Sequence, residues 1–387
     1  MRPRRALGLA LVAALLCHSG GHAQAPTAPL QDDDLPRILA HGPWPPPVAP
    51  DPSNRASGQP AAIAFGATLF HEPRLSRDGR LSCASCHQPA RGFSDGLPRA
   101  RGLQPGTRNT LALANLGLQR WFGWDGANDN LWAQSLRPLL DAREMGGSLS
   151  QLAATVRRSP ELGAAYRRAF GQPPGDDDER VAVDVAKALA AYQETLVTPR
   201  TPFDDFRDAL ARGDRAAAAA YPAAAQRGLA LFLGRGRCHV CHGGPNFSHG
   251  EFSDIGMPFF IGRGQVDPGR HGGIQALQRS RYNLLGPYND DATRSTATST
   301  RHVRLEHRHY GEFKVPSLRN LARTAPYMHD GSLKTLREVL QHYSELDEER
   351  LHADGEAILV PLHLTLQETE DLLAFLDSLN AGNEGPR

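Results

Sequence analysis

Charge of one sign is not in excess in this 387-residue chain: 43 Lys and Arg stand against 42 Asp and Glu, a formal net charge of +1. That balance removes the electrostatic case for a nucleic-acid partner or an anionic membrane surface. Aromatic residues make up only 7%, which argues against a sheet-rich core, whereas 38 Gly and 30 Pro suit helices joined by long, well-turned loops. The N-terminal apolar run, Ala6 to Leu16, has eleven residues. A bilayer span needs about 20, so no membrane span is expected. Cysteine is scarce, with five in all, and no His occurs between His87 and His239.

What is present begins with an export signal. Arg2, Arg4 and Arg5 precede the apolar run, and Gly21 and Ala23 fit cleavage after Ala23; cutting after Ala25 would leave Pro26 just beyond the cut. A lipoprotein signal on Cys17 is disfavoured by the bulky Leu16 before it. Residues 1–23 are therefore expected to be a signal peptide and the protein periplasmic. Residues 24–60 are rich in proline, with no periodic apolar pattern, and read as a linker or an extended surface arm. The length favours two units, expected at 61–215 and 216–387.

A faint internal repeat supports that division. Gly66-Ala67-Thr68-Leu69-Phe70 precedes Cys83-Ala84-Ser85-Cys86-His87, and Gly228-Leu229-Ala230-Leu231-Phe232 precedes Cys238-His239-Val240-Cys241-His242. Helical spacing runs from Ser148 to Phe170 and from Asp178 to Val197, with Ser148 and Asp178 as N-caps. Thr365 and Glu368 form a capping box before a final helix. Residues 260–312 show little periodicity and read as a long insertion loop.

C-x-x-C-H places two thiols where they can form thioethers with the haem vinyl groups, and the adjacent His beneath the iron as proximal ligand. Two such motifs use all four cysteines left after export. A four-cysteine zinc site is the competing reading, but it leaves the His after each pair unexplained and requires convergence across 155 residues. Disulfides within each pair would cross-link almost nothing. Two covalently bound haem c groups follow, with Cys83, Cys86, His87, Cys238, Cys241 and His242 holding them.

Together with these motifs, Phe122-Gly123-Trp124-Asp125-Gly126, Arg143-Glu144-Met145, Phe313-Lys314-Val315-Pro316-Ser317-Leu318-Arg319-Asn320 and Thr324-Ala325-Pro326-Tyr327-Met328-His329-Asp330-Gly331 make a chain that resembles the bacterial di-haem cytochrome c peroxidase and MauG family from about Ala61 to Leu379. The resemblance implies a mainly α fold, two cytochrome c-like haem domains with long loops and few strands. It makes 61–215 the peroxidatic domain and 216–387 the electron-transfer domain.

Conventional peroxidases of the family close the first haem with a distal His on the loop after the first motif. Here that loop reads Leu97-Pro98-Arg99-Ala100-Arg101-Gly102-Leu103-Gln104-Pro105-Gly106. The resemblance therefore implies an open first haem, with Met145 a weaker candidate ligand. Glu144 takes the role of moving the proton during peroxide cleavage, Gln134 and Pro138 shape the same pocket, and Trp124 relays electrons between the haems. The second haem's sixth ligand falls fourteen residues beyond His329, at Tyr343. Periodicity alone, with Leu336, Val339 and Leu340 on the same face, reads Tyr343 as a core aromatic. Met328, His342 and His363 are rival ligands. Asn109, Thr324 and Pro326 correspond to the family's calcium site, and hard oxygen donors suit that ion.

An open first haem and a Tyr-ligated second haem point to a MauG- or MbnH-like enzyme, which uses hydrogen peroxide to form high-valent haem iron and oxidises a partner protein. The loop 261–312 is then a candidate docking surface for that partner. A conventional cytochrome c peroxidase drawing electrons from a small cytochrome c or cupredoxin is the alternative. A non-catalytic di-haem electron carrier is the alternative of another class.

Overall fold

The computed structural model describes residues 30–258, 260–262, 264–354 and 358–382; the expected signal peptide lies outside them. The fold is mainly α. Among the described residues the strands are two short antiparallel pairs. Phe252–Ser253 runs against Phe313–Lys314, with Phe252 opposite Lys314, and Phe260–Gly262 runs against Gln265–Val266.

Two apolar clusters organise the helices. The first gathers Pro60–Phe70, Leu131–Leu140, Leu149–Arg158 and Pro160–Phe170 around Asp178–Glu194. That central helix is buried on almost every face, and its many Ala and Val residues let neighbours approach closely. Its N-cap is Asp177, whose side chain accepts the Arg180 N–H, one residue before the position expected. The helical pattern from Ser148 to Phe170 is two helices rather than one. Pro160 disfavours helical backbone at Ser159, and Ser159 ends the first helix and caps the second at the Leu162 N–H.

The second cluster packs Ala223–Leu233 against Leu366–Asp377, with the predicted Thr365–Glu368 capping box formed. Phe203 and Phe206 of Pro202–Ala211 belong to this cluster, so the packing changes before residue 202 and not at 215. The Ala-rich stretch near 216 is the visible compositional break, but the preceding amphipathic helix already faces the second core.

The repeat seen in the sequence is a packing repeat. A Cβ on Gly66 would lie 2.0 Å from the Ala188 carbonyl oxygen, and one on Gly228 would lie 2.0 Å from that of Asp371. Each glycine marks a crossing where two helix backbones touch, which only a residue without a side chain permits.

Residues 30–59 do not run free. Leu35–Leu39 is helical, Ile38 and Trp44 are buried, and the Trp44 indole N–H donates to the Thr198 carbonyl at 2.9 Å. The segment 261–312, expected as a loop, contains the helix Gly269–Arg279 and lies along the first cluster. Arg270 donates to the Gly126 carbonyl at 2.8 Å, and Asp129 accepts from the Leu284 N–H and the Thr300 hydroxyl. Asp290 pairs with the buried Lys187 at 2.5 Å. Ile274, Leu277 and Leu284 are buried in it, but much of its anchoring is by hydrogen bonds and ion pairs, which leave no mark in the hydrophobic periodicity.

Candidate active site

Both C-x-x-C-H motifs line one cavity of about 980 Å³. In each, a tight turn brings the His N–H back to the first cysteine's carbonyl, His87 to Cys83 at 2.9 Å and His242 to Cys238 at 2.8 Å. The imidazoles are then fixed by carbonyl acceptors: His87 Nδ1 donates to Phe93 O at 3.0 Å and His242 Nδ1 to Phe247 O at 3.1 Å. That tautomer leaves Nε2 unprotonated and able to bind a metal. Burial lowers the pKa of both rings, that of His242 to about 4, so both are neutral.

None of the four thiols is in a disulfide. Burial pushes Cys83 and Cys238 up to about 12 and Cys86 to about 11. Cys83 packs on the first apolar cluster while Cys238 packs on the second, so the two pairs belong to different cores. Paired thiols, an oriented imidazole after each pair and a shared cavity fit two covalently attached haems.

Glu144, Gln134, Pro138 and Trp124 all line this cavity. Gln134 and Pro138 lie one turn apart on Leu131–Leu140, started by Asn130, whose side chain accepts the Ala133 N–H at 2.7 Å. Gln134 is held by Asn128 at 2.8 Å. Glu144 pairs with Arg137 at 2.8 Å. Burial raises its pKa above the ordinary carboxylate range, Arg137 opposes the rise and Asp141 adds to it.

The loop that lacks a His is strapped to the backbone that carries this carboxylate. Leu103 N–H donates to Glu144 O and Gln104 N–H to Arg143 O, each at 2.9 Å, and a Cβ on Gly102 would lie 2.5 Å from Glu144 Cα. Trp124 is buried, its indole N–H donating to Asn109 O at 2.9 Å. Trp121 and Trp132 do not line the cavity. Met145 lines it but is buried in the first apolar cluster.

On the second-motif side, Leu336, Val339, Leu340 and Tyr343 present one face of Leu336–Ser344 to the cavity. Burial raises the Tyr343 hydroxyl pKa, and the nearby Cys238 and Cys241 push in the same direction, which sets Tyr343 beside the second motif. Met328 also reaches the cavity. His342 and His363 do not; His342 Nε2 meets the Ile255 carbonyl at 2.7 Å.

Asn109, Thr324 and Pro326 line the same cavity, and the Asn109 N–H donates to His329 O at 2.7 Å. Asn109 Nδ2 donates to Leu97 O. An amide oxygen and backbone carbonyls are the neutral hard donors that calcium accepts.

Several supporting residues escape the motif reading. Phe93 and Phe247, whose carbonyls orient the two imidazoles, both have positive φ, 61° and 49°. Their shared context, Phe93-Ser94-Asp95-Gly96 and Phe247-Ser248-His249-Gly250, is a repeat visible in the sequence. Arg108 bridges Asp125 and Asp267, each at 2.6 Å. Lys314, buried with its pKa lowered to about 7, donates to the Gln119 side chain and the Trp121 carbonyl. These contacts join residues far apart in the chain, and no local signal marks them.

Residues 60–212 match the profile of the di-haem cytochrome c peroxidase family. The methylamine utilization protein MauG of Methylorubrum extorquens is 36% identical over 328 residues, 83% of this chain and 79% of its own. The cytochrome-c peroxidase IdrP1 of Denitromonas iodatirespirans is 33% identical over 383 residues, 97% of this chain and 93% of its own. Among solved structures, a MauG-like protein associated with microbial copper homeostasis superposes with a TM-score of 0.66 at 28% identity, covering 88% of this chain and 96% of that one.

Proposed function

Because the chain belongs to the di-haem cytochrome c peroxidase family, a family of peroxidase-type oxidoreductases, we propose that it reacts with hydrogen peroxide in its fully oxidised state and oxidises a partner protein, in the manner of MauG. The observation that carries this reading is the distal loop. It has no His to offer the first haem, and its backbone is bonded to Arg143 and Glu144.

When bound, haem supplies the iron that cleaves peroxide and holds the oxidising equivalents. His87 and His242 would hold the two irons through Nε2, their Nδ1 protons fixed on carbonyls. With haem in place, Glu144 would be the group that holds and moves the proton as peroxide is cleaved. A carboxyl raised by burial and checked by Arg137 is suited to both steps. Gln134 and Pro138 shape the space in front of it.

Trp124, buried and hydrogen-bonded, relays electrons between the haem sites. Tyr343 would ligate the second haem in this reading, and an anionic oxygen donor would favour the oxidised metal. Met328 is its cavity-facing rival. Asn109, Thr324 and Pro326 hold a calcium ion, and the two apolar clusters are the cores of two cytochrome c-like units. The periplasm is the proposed compartment, supported by the N-terminal signal.

A second reading, a conventional cytochrome c peroxidase fed by a small cytochrome c or cupredoxin, is favoured by the near full-length similarity to IdrP1. Stoichiometric hydrogen peroxide added to the fully oxidised holoprotein separates the two. Immediate loss of a high-spin ferric EPR signal is the expected result. No reaction until one haem is reduced would support the second reading.

A further inference from the structure

Among the described residues, one set of three metal-ligating side chains stands apart from the two haem motifs: His307, His352 and Asp354, whose ligand atoms all fall within 4.8 Å of one another. His307 Nδ1 is 3.6 Å from Asp354 Oδ2, and the two imidazoles meet edge-on with centroids 4.9 Å apart. In a chain rich in arginine, Asp354 meets no Lys or Arg at ion-pair distance among the described residues; its charged-pair contact is this imidazole.

The ligands are supported from behind. The His352 N–H donates to Asp254 at 2.8 Å, which fixes the backbone that carries the ring. The His307 ring leans on Tyr310, which stacks at 4.0 Å on His271 of the helix Gly269–Arg279. The Asp354 N–H reaches His352 Nδ1 at 3.2 Å, a long contact that water can take over when the nitrogen binds a cation.

We propose that His307, His352 and Asp354 bind one divalent transition ion of the zinc or copper(II) class. Two imidazoles and a carboxylate match the preference of these ions, and three protein ligands leave room for water. Calcium and magnesium, which take oxygen donors, do not fit. His352 also lines the cavity wall, together with Leu351 and the stretch 358–360. A metal joining His307 to His352 and Asp354 therefore fastens that wall to the segment 261–312, closing one side of the second haem's surroundings.

The test is calorimetric titration of zinc chloride alone into chelator-treated holoprotein, with copper(II) EPR as a second readout. The expected result is one zinc per chain, with affinity reduced at least ~10-fold in His307→Ala, His352→Ala and Asp354→Asn, since even outer-shell losses cost that much. His302→Ala, an exposed histidine outside the triad, leaves the affinity unchanged. Copper(II) shows nitrogen coupling from two imidazoles. His307 and Asp354 are exposed and His352 is half-buried, and an unaltered haem spectrum and melting temperature verify that the variants fold. Absence of a stoichiometric isotherm, or equal affinity in all variants, overturns the proposal; neither outcome bears on the peroxide reaction.

Discussion

Removing Asp204 should leave a buried guanidinium without its counter-charge, with a cost measurable on unfolding. The Arg319 and Asp204 side chains are 0% and 1% exposed and share two hydrogen bonds of 2.9 and 2.8 Å. Arg319 also donates to Pro245 O at 2.7 Å, just beyond the second C-x-x-C-H motif, and its guanidinium lies 3.6 Å over the Trp44 ring. The pair thus ties the helix Pro202–Ala211, the second motif's loop and the N-terminal arm at one point.

Breaking one side of such a pair costs about 3–5 kcal/mol, whereas replacing both members by apolar residues is often close to neutral. Asp204→Leu and Arg319→Met are each expected to lose ~3 kcal/mol or more, and the double variant much less than their sum. Loss of the stacking on Trp44 accounts for about 1 kcal/mol of the arginine variant. Urea unfolding of the ferric holoprotein, followed by Soret absorbance, reads all four corners of the cycle. Single variants costing under about 1 kcal/mol, or a double variant equal to the sum, would refute the reasoning.

Four further outcomes are expected. Glu144→Gln should slow the stopped-flow reaction with peroxide by about 10²–10⁴-fold, the range for a lost general acid–base group, with both haems still attached. Tyr343→Met should raise the second haem's reduction potential in a spectroelectrochemical titration, because a neutral thioether favours the reduced metal; an unchanged potential would point to Met328 as the ligand. Burial raises the Glu194 carboxyl from 4.5 to about 7, so the native state holds a proton that the unfolded chain releases. The stability this proton contributes is complete below pH 4.5 and lost as pH rises through 7. Glu194→Gln, which keeps an acceptor for Ser57, should therefore gain ~2 kcal/mol over the parent at about pH 8 and almost nothing at about pH 4. Gly228→Ala and Gly66→Ala should each lower the melting temperature by several degrees, since the added methyl meets a backbone carbonyl; an unchanged melting temperature would show that the crossing relaxes freely.

What the sequence made legible was local. Two cysteines and a histidine on one turn, a Thr and a Glu three apart, and a Gly followed by Leu-Phe each carry their geometry within a few residues. Glu144, Gln134, Pro138, Trp124 and Tyr343 are singled out by the family resemblance alone, and all five line one cavity. The segment after residue 260 is hard to read because Asp267, Asp290 and Arg270 are held by partners 100 or more positions away. Hydrophobic periodicity does not register such anchors. Pro160 was the one visible sign that a single helical pattern was two helices. Phe93 and Phe247 were missed although they repeat, because backbone carbonyls act there and not the rings.

The segment from 261 to 312 is a polar clasp on the first apolar cluster. Asp267, Arg270, Thr300 and Asp290 hold Arg108, Gly126, Asp129 and Lys187. Burial opposes the shift, but these partners keep the Asp267 and Asp290 carboxyls below the ordinary range. The clasp therefore weakens in acid, as falling pH protonates the two carboxylates, while the apolar cluster beneath it carries no such dependence.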